Sequence, residues 1–263
     1  MQSIMASVLV TICYCLSAIL IYRQLEQSNQ RYRAALYPAL LATLIQSFLL
    51  NDLINQADGL NLNFVNSFCL ISWLISIQII LSTCFMHIEN LGIAIFPITG
   101  FANLITNIDF PAHLVLTSNN AIQGHIMISV IAYSLITLGA FQAGLLAYQD
   151  KSIRSHHPGG LIRFLPPLAD MESFLFVFLS LGFTGLSLSL ISGFFFLEDI
   201  FAQHLVHKTT LSIIAWFILG ILMFGRMKFG WRGKKAIRWT MIAFLFLMLA
   251  FFGSKLVLEF ILQ

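Results

Sequence analysis

Apolar residues run in long unbroken stretches along this chain, and polar residues collect between them. From Ile4 to Tyr22 there is no charged side chain. Strict alternation at every second position, the mark of a membrane strand, is missing, so a β-barrel fits poorly. The apolar runs predict helices near 4–22, 35–50, 64–85, 91–105, 125–148, 173–196, 209–225 and 239–260. A bilayer-crossing helix needs about 20 apolar residues, and the second and fourth runs fall short of that.

Composition points the same way. Hydrophobic residues make up 59% and charged residues 10% of 263 residues, with a mean hydropathy of +0.88. Soluble domains carry about 45–50% apolar and about 25% charged residues, so a water-soluble enzyme and a disordered chain are both excluded. The expected fold is all-α: a polytopic integral membrane protein with eight transmembrane helices, forming one domain over 1–263. The first run is expected to remain as a helix. Met-Gln-Ser precedes it without a basic segment, and no small-residue cleavage site follows it.

Charge placement sets the expected orientation. Arg23, Arg31 and Arg33 follow helix 1. Lys151, Arg154 and Arg163 follow helix 5. Arg226, Lys228, Arg232, Lys234, Lys235 and Arg238 follow helix 7. Twelve of the 14 basic residues therefore share one side, and the positive-inside rule places both termini outside, in the periplasm. Lys208 is the exception in an outer loop, and Lys255 lies within helix 8.

The four cysteines, Cys13, Cys15, Cys69 and Cys84, sit within apolar runs, where a thiol behaves as a small hydrophobe. They show neither a disulfide framework nor a zinc spacing. Histidines are more informative. His113, His125, His204 and His207 gather at the expected outer face, whereas His156 and His157 fall in a turn-rich inner loop. His125 follows Gly124 at the expected start of helix 5. The positive end of a helix disfavours imidazolium, and a neutral imidazole is what a metal or haem iron binds. The plainer alternative is a helix-end histidine capped by water or a carbonyl. His204 and His207 are three apart and share a face if that stretch is helical. The plainer reading of each is a solvated loop residue, and the same holds for His113.

No Asp or Glu falls mid-helix, which argues against a proton pump or cation-coupled carrier. Gln46, Gln78 and Gln142 are uncharged and can be satisfied by neighbouring helices. Phosphate loops, Ser-His-Asp order and zinc-protease motifs are absent, so no catalytic residue is expected. Gly182, Gly185 and Ser189 on helix 6 suit close helix packing or an approach to a flat ligand. Gly230 to Lys235 suit an interfacial anchor on anionic headgroups, and nucleic-acid binding is not expected.

Several segments together resemble a known family. They are Leu211-Ser212-Ile213-Ile214-Ala215-Trp216, Gly230-Trp231-Arg232-Gly233-Lys234-Lys235-Ala236 and Phe251-Phe252-Gly253-Ser254. Gly124-His125 followed by Ala132-Tyr133-Ser134, and Pro166-Pro167-Leu168-Ala169-Asp170-Met171-Glu172, add to them. In this order they are similar to the cytochrome c assembly proteins, the CcsA/CcmC/HemX-like haem-handling membrane proteins, and to their small stand-alone branch. The likeness covers nearly the whole chain. It implies haem as cofactor, an address in the bacterial inner membrane, and partners that include the bilayer and another membrane protein. His125 is then the expected iron ligand, with His113, His204 or His207, or a partner, supplying the second.

The chain also departs from that pattern. Haem-exporting members carry a tryptophan-rich outer loop ending in Trp-Asp-Pro-Lys-Glu. The corresponding Ala202-Gln203-His204-Leu205-Val206-His207-Lys208-Thr209 shares only the lysine. Family histidines in helices 2 and 7 correspond to Gln46 and Phe224. These losses leave a competing expectation, a non-haem accessory protein or HemX-like regulator that keeps the scaffold and binds a partner. A small-solute transporter ranks below both.

Overall fold

In the computed structural model, residues 2–26, 33–56, 59–108, 114–115, 120–155, 165–196 and 203–253 are described. Their helices group into two compact units, Met1–Ser118 and Asn119–Gln263.

The first unit holds α1 (Gln2–Glu26), α2 (Tyr37–Ile54), α3 (Phe64–Ser82) and α4 (Gly92–Ile105). Short 3-10 turns, Arg33–Leu36 and Glu89–Leu91, lead into α2 and α4. Pro38, in the first turn of α2, has no N–H to leave unpaired there. Asn63 caps α3 by accepting a 2.8 Å hydrogen bond from the Asn66 backbone N–H. Each helix packs on the next, and α4 closes the ring against α1.

Close approach and internal hydrogen bonds hold that ring. A Cβ on Gly100 would lie 3.1 Å from Thr11 Cγ2 and 3.2 Å from its Cα, so only glycine leaves α4 undisturbed against α1. Thr11 Oγ1 donates to the Gly100 carbonyl at 3.0 Å, and Asn103 Nδ2 to the Ser7 carbonyl at 3.3 Å. Gln46, fully buried, accepts from Tyr14 OH at 2.8 Å and donates to Cys69 Sγ at 3.3 Å.

A small antiparallel sheet was not expected. β1 (Asn55–Gln56), β2 (Gly59–Asn61) and β3 (Leu114–Val115) pair in that order, with Leu60 opposite Val115. It ties the segment after α2 to the segment after α4. Both segments therefore lie at one end of this unit, as their expected place in outer loops requires.

The second unit holds α5 (Asn120–Arg154), α6 (Leu168–Phe196), α7 (Gln203–Phe229) and α8 (Lys234–Met248), with a π-helical turn at Leu249–Gly253. They too form a ring, α5 on α6, α6 on α7, α7 on α8 and α8 on α5. At 35 residues, α5 is about 52 Å long at 1.5 Å per residue and overruns a hydrocarbon core of about 30 Å. Pro166 and Pro167 stand just before α6, where the chain cannot yet be helical.

The α5–α6 seam is the tightest in this unit. A Cβ on Gly182 would sit 2.6 Å from Ile136 Cγ1, and one on Gly185 would sit 3.0 Å from the Ala132 Cβ. Gln142 Nε2 and Gln149 Nε2 donate across to the carbonyls of Met171 and Pro166, each at 3.0 Å.

Among the described residues, seven helices are long and apolar enough to cross a membrane. The remaining apolar helix, Glu89–Ile105, is shorter and contains Pro97. Large apolar side chains face outward, among them Phe48, Phe85, Phe194 and Phe195. In water such a surface would drive aggregation; against lipid tails it costs nothing.

Candidate functional site

His125 lies in the second turn of α5 rather than at its start, because the helix begins five residues earlier, at Asn120. Polar Asn120, Gln123 and Gly124 hid that turn from a hydropathy reading. The half-buried imidazole faces α6, and its Nδ1 lies 2.9 Å from Ser192 Oγ. One helical turn on, Ser129 Oγ lies 2.6 Å from Ser189 Oγ. Ser129 Oγ also donates to the His125 carbonyl at 2.7 Å, and Ser192 Oγ to the Ser189 carbonyl at 2.9 Å. Two residues from each helix thus form one hydrogen-bonded cluster. Gly182 and Gly185 bring the backbones close enough for short hydroxyls to meet.

Lys208 lies in the second turn of α7, with its ammonium 5.2 Å from the Phe251 ring centre. Phe251 in turn lies 5.2 Å from the Tyr133 ring on α5, and Phe252 lies 5.9 Å from it. The Lys208 charge is within electrostatic reach of His125. Among the described residues, no carboxylate pairs with Lys208.

His207 is exposed in the first turns of α7, and His204 shares the same helical stretch, three residues before it. The His204 side chain and the whole of His113 lie outside the described residues, as do His156 and His157. Among the described residues, no three His, Cys, Asp or Glu side chains gather in a metal-binding group.

A cleft of about 410 Å³ opens between α6 and α7, lined by Ser187, Leu190, Phe194, Ile213, Trp216 and Phe217 among others. At 100° per residue these α6 positions point away from Ser189 and Ser192. The cleft and the histidine cluster therefore occupy opposite faces of α6. Trp216 Nε1 donates to Ser187 Oγ at 2.8 Å and stacks on Phe183.

The Gly-Trp-Arg-Gly segment at the far end of α7 is more than a headgroup anchor. Gly230 and Gly233 both have positive φ, +62° and +55°, conformations that side chains rarely adopt. The turn they make places Trp231 against Gly225 and 5.7 Å from the Trp239 ring. It also brings Arg232 Nε to 3.4 Å from Glu172 Oε1, which Arg226 approaches at 3.3 Å. Glu172, on α6, was not anticipated as a partner. The apolar run placed the start of helix 6 at 173, so Glu172 fell with Asp170 in the segment before it and nothing marked it as a partner of the arginines.

Taken together, the structure defines a multi-pass helical membrane protein with one histidine–serine cluster on its α5–α6 seam. The chain belongs to the family described as Cytochrome C assembly protein, which matches residues 33–262. It is similar to the inner membrane protein YpjD of Escherichia coli K12, 27% identical over 266 residues, covering 97% of this chain and 98% of the relative. It also resembles protein HemX of Brevibacillus brevis, at 19% identity over 91% of each chain. A 28.8 kDa protein of Azospirillum brasilense is 33% identical over 137 residues, about half of each chain. No solved structure matches. Its apolar helices and its full-length relative make this a multi-pass inner-membrane protein.

Proposed function

We propose that this protein handles haem in cytochrome c assembly, and that His125 is its ligand to haem iron. One observation carries this reading. The site offers an imidazole donor, and among the described residues it belongs to no group of three His, Cys, Asp or Glu side chains. A bare metal ion needs three or four protein ligands, whereas iron in a porphyrin arrives with four equatorial nitrogens and asks for axial ligands alone.

The surroundings suit the same ligand class. Phe251, Phe252 and Tyr133 supply aromatic surface, and Lys208 supplies one positive charge for a porphyrin carboxylate. Bound iron would contribute ligand exchange and electron transfer. The protein contributes seat and orientation and is not itself an enzyme. A second iron ligand would come from His207, His204 or His113, or from a partner.

The chain crosses the membrane eight times, with α4 included and both termini outside. With its 3-10 turn, the α4 segment of 17 residues spans about 26 Å, a little short of the hydrocarbon core. Pairing of β2 with β3 supports the full crossing, because the chain leaves through α3 and returns through α4 to the same end. A cysteine or tag at either terminus should react with an impermeant reagent in intact spheroplasts. Protection of either terminus would refute the orientation.

For haem, the protein is expressed with haem precursor, purified in mild detergent and examined for a Soret band. Wild type should carry haem, and His125→Ala should lose most of it. A haem-free wild type, or equal haem in the variant, refutes the proposal. A stoichiometric partner in a haem-free preparation would favour the accessory-protein reading instead.

A further inference from the structure

Proton bookkeeping in the histidine–serine cluster leads beyond the identity of the ligand. A serine hydroxyl has one proton to donate. Ser192 directs its proton to the Ser189 carbonyl, 2.9 Å away. With its proton there, Ser192 accepts from His125 Nδ1 at 2.9 Å, an arrangement that puts the ring proton on Nδ1. Ser129 likewise gives its proton to the His125 carbonyl at 2.7 Å. In the same arrangement it accepts from Ser189 across 2.6 Å. Every hydroxyl is used once as a donor, and the bonds run from α5 to α6 and back without a conflict.

We propose that Ser192, held by this hydrogen-bond circuit, is a positioning residue that locks His125 as the Nδ1–H tautomer and presents Nε2 as a bare lone pair for an axial metal. The inference rests on the haem reading for its purpose but not for its geometry. Free histidine in water favours the opposite tautomer, with the proton on Nε2, where no ligand bond can form until the proton moves. The circuit removes that step and holds the ring in one rotation. A neutral hydroxyl acceptor also leaves the imidazole less basic than a carboxylate partner would.

The test uses the full-length protein in nanodiscs with ring-15N histidine, and His125→Gln identifies the signal. Wild type without haem should show a protonated-type shift at Nδ1 and an unprotonated-type shift at Nε2. Ser192→Thr keeps a hydroxyl and should retain that pattern. Ser192→Ala should move the population towards Nε2–H and, from the usual effect of losing such a partner, weaken haem affinity on the order of 10-fold or more. A wild type already in the Nε2–H form, or an unchanged tautomer in a folded Ser192→Ala, overturns the proposal. If Ser192→Ala does not fold, wild type and Ser192→Thr still decide it, since an Nε2–H signal in either one refutes the lock. Absence of a Soret band in wild type would remove the haem reading and leave the tautomer result standing.

Discussion

Glu172 is the one carboxylate that draws two signature segments together, and removing its charge has a calculable outcome. Its side chain is 11% exposed, against 27% for Arg226 and 59% for Arg232. Breaking a buried ion pair costs about 3–5 kcal/mol, and an exposed one about 0–1 kcal/mol. Arg226 stands between these limits. Its guanidinium also lies 4.4 Å from the Phe176 ring centre and contacts the Trp231 carbonyl at 3.5 Å. A double-mutant cycle with Glu172→Gln and Arg226→Met should therefore give a coupling of about 1–2 kcal/mol. The same cycle with Arg232→Met should give about 0.5 kcal/mol or less, falling further in high salt. Reversible unfolding in mixed micelles, followed by tryptophan fluorescence, measures both, since Trp231 sits in the turn being released. Equal couplings, or a larger one for Arg232, would show that burial does not rank these contacts.

Other substitutions probe backbone geometry and packing. Gly182→Ala should destabilise by about 1–3 kcal/mol through overpacking against Ile136, whereas Gly124→Ala, which meets nothing within 4 Å, should be neutral or stabilise by up to about 1 kcal/mol; thermal unfolding in detergent compares the two. Gly233→Ala should cost about 1–2 kcal/mol although nothing lies within 4 Å of its Cβ, because the left-handed backbone itself opposes a side chain. A neutral outcome in the same assay would mean that the turn relaxes. Tyr14→Phe should cost about 0.5–2 kcal/mol by stripping the buried Gln46 Oε1 of its donor. No further loss is then expected when Gln46→Leu is added, apart from its own packing change.

Helix positions were legible because length and hydropathy report the membrane directly. Ends were not, because hydropathy registers the lipid core and not the helix. Gln203, His204, His207 and Lys208 belong to α7, yet their polarity placed its start at residue 209. The same cause hid the first turn of α5. Strands of two or three residues, such as Leu114–Val115, are too short to show alternation. His125 could be picked out as a ligand candidate, and small residues on helix 6 could be read as packing surface. Which hydroxyls met the imidazole could not, since Ser192 lies 67 residues away and its partner depends on how α5 and α6 turn towards each other. Glu172 and Arg226, 54 residues apart, were hidden for the same reason.

The two units differ in what their buried polar groups are free to do. Gln46 is fully buried, with its oxygen bonded to Tyr14 and its nitrogen to Cys69. Both ends of the amide are occupied by the protein, so nothing is left to offer a ligand, and a buried amide so engaged serves to fix helix register. Among the described residues, the His125 ring is hydrogen-bonded at Nδ1 alone, and it is half-exposed where Gln46 is sealed. A ligand-binding group needs both properties, one bond to hold its orientation and one unsatisfied atom that something from outside can reach. Within the second unit the contrast repeats along the helices. Glu172 and its two arginines join α6 to the α7–α8 turn with charges that stabilise the contact while remaining partly solvated. The α5–α6 contact at His125 is made with neutral hydroxyls, whose single protons can be aligned without placing a charge beside the imidazole. A carboxylate in the place of Ser192 would hold the ring more strongly but would also favour its protonated, ligand-incompetent form. On the proposed haem reading, serine orients the ring without placing a charge beside it, the combination that an iron ligand requires.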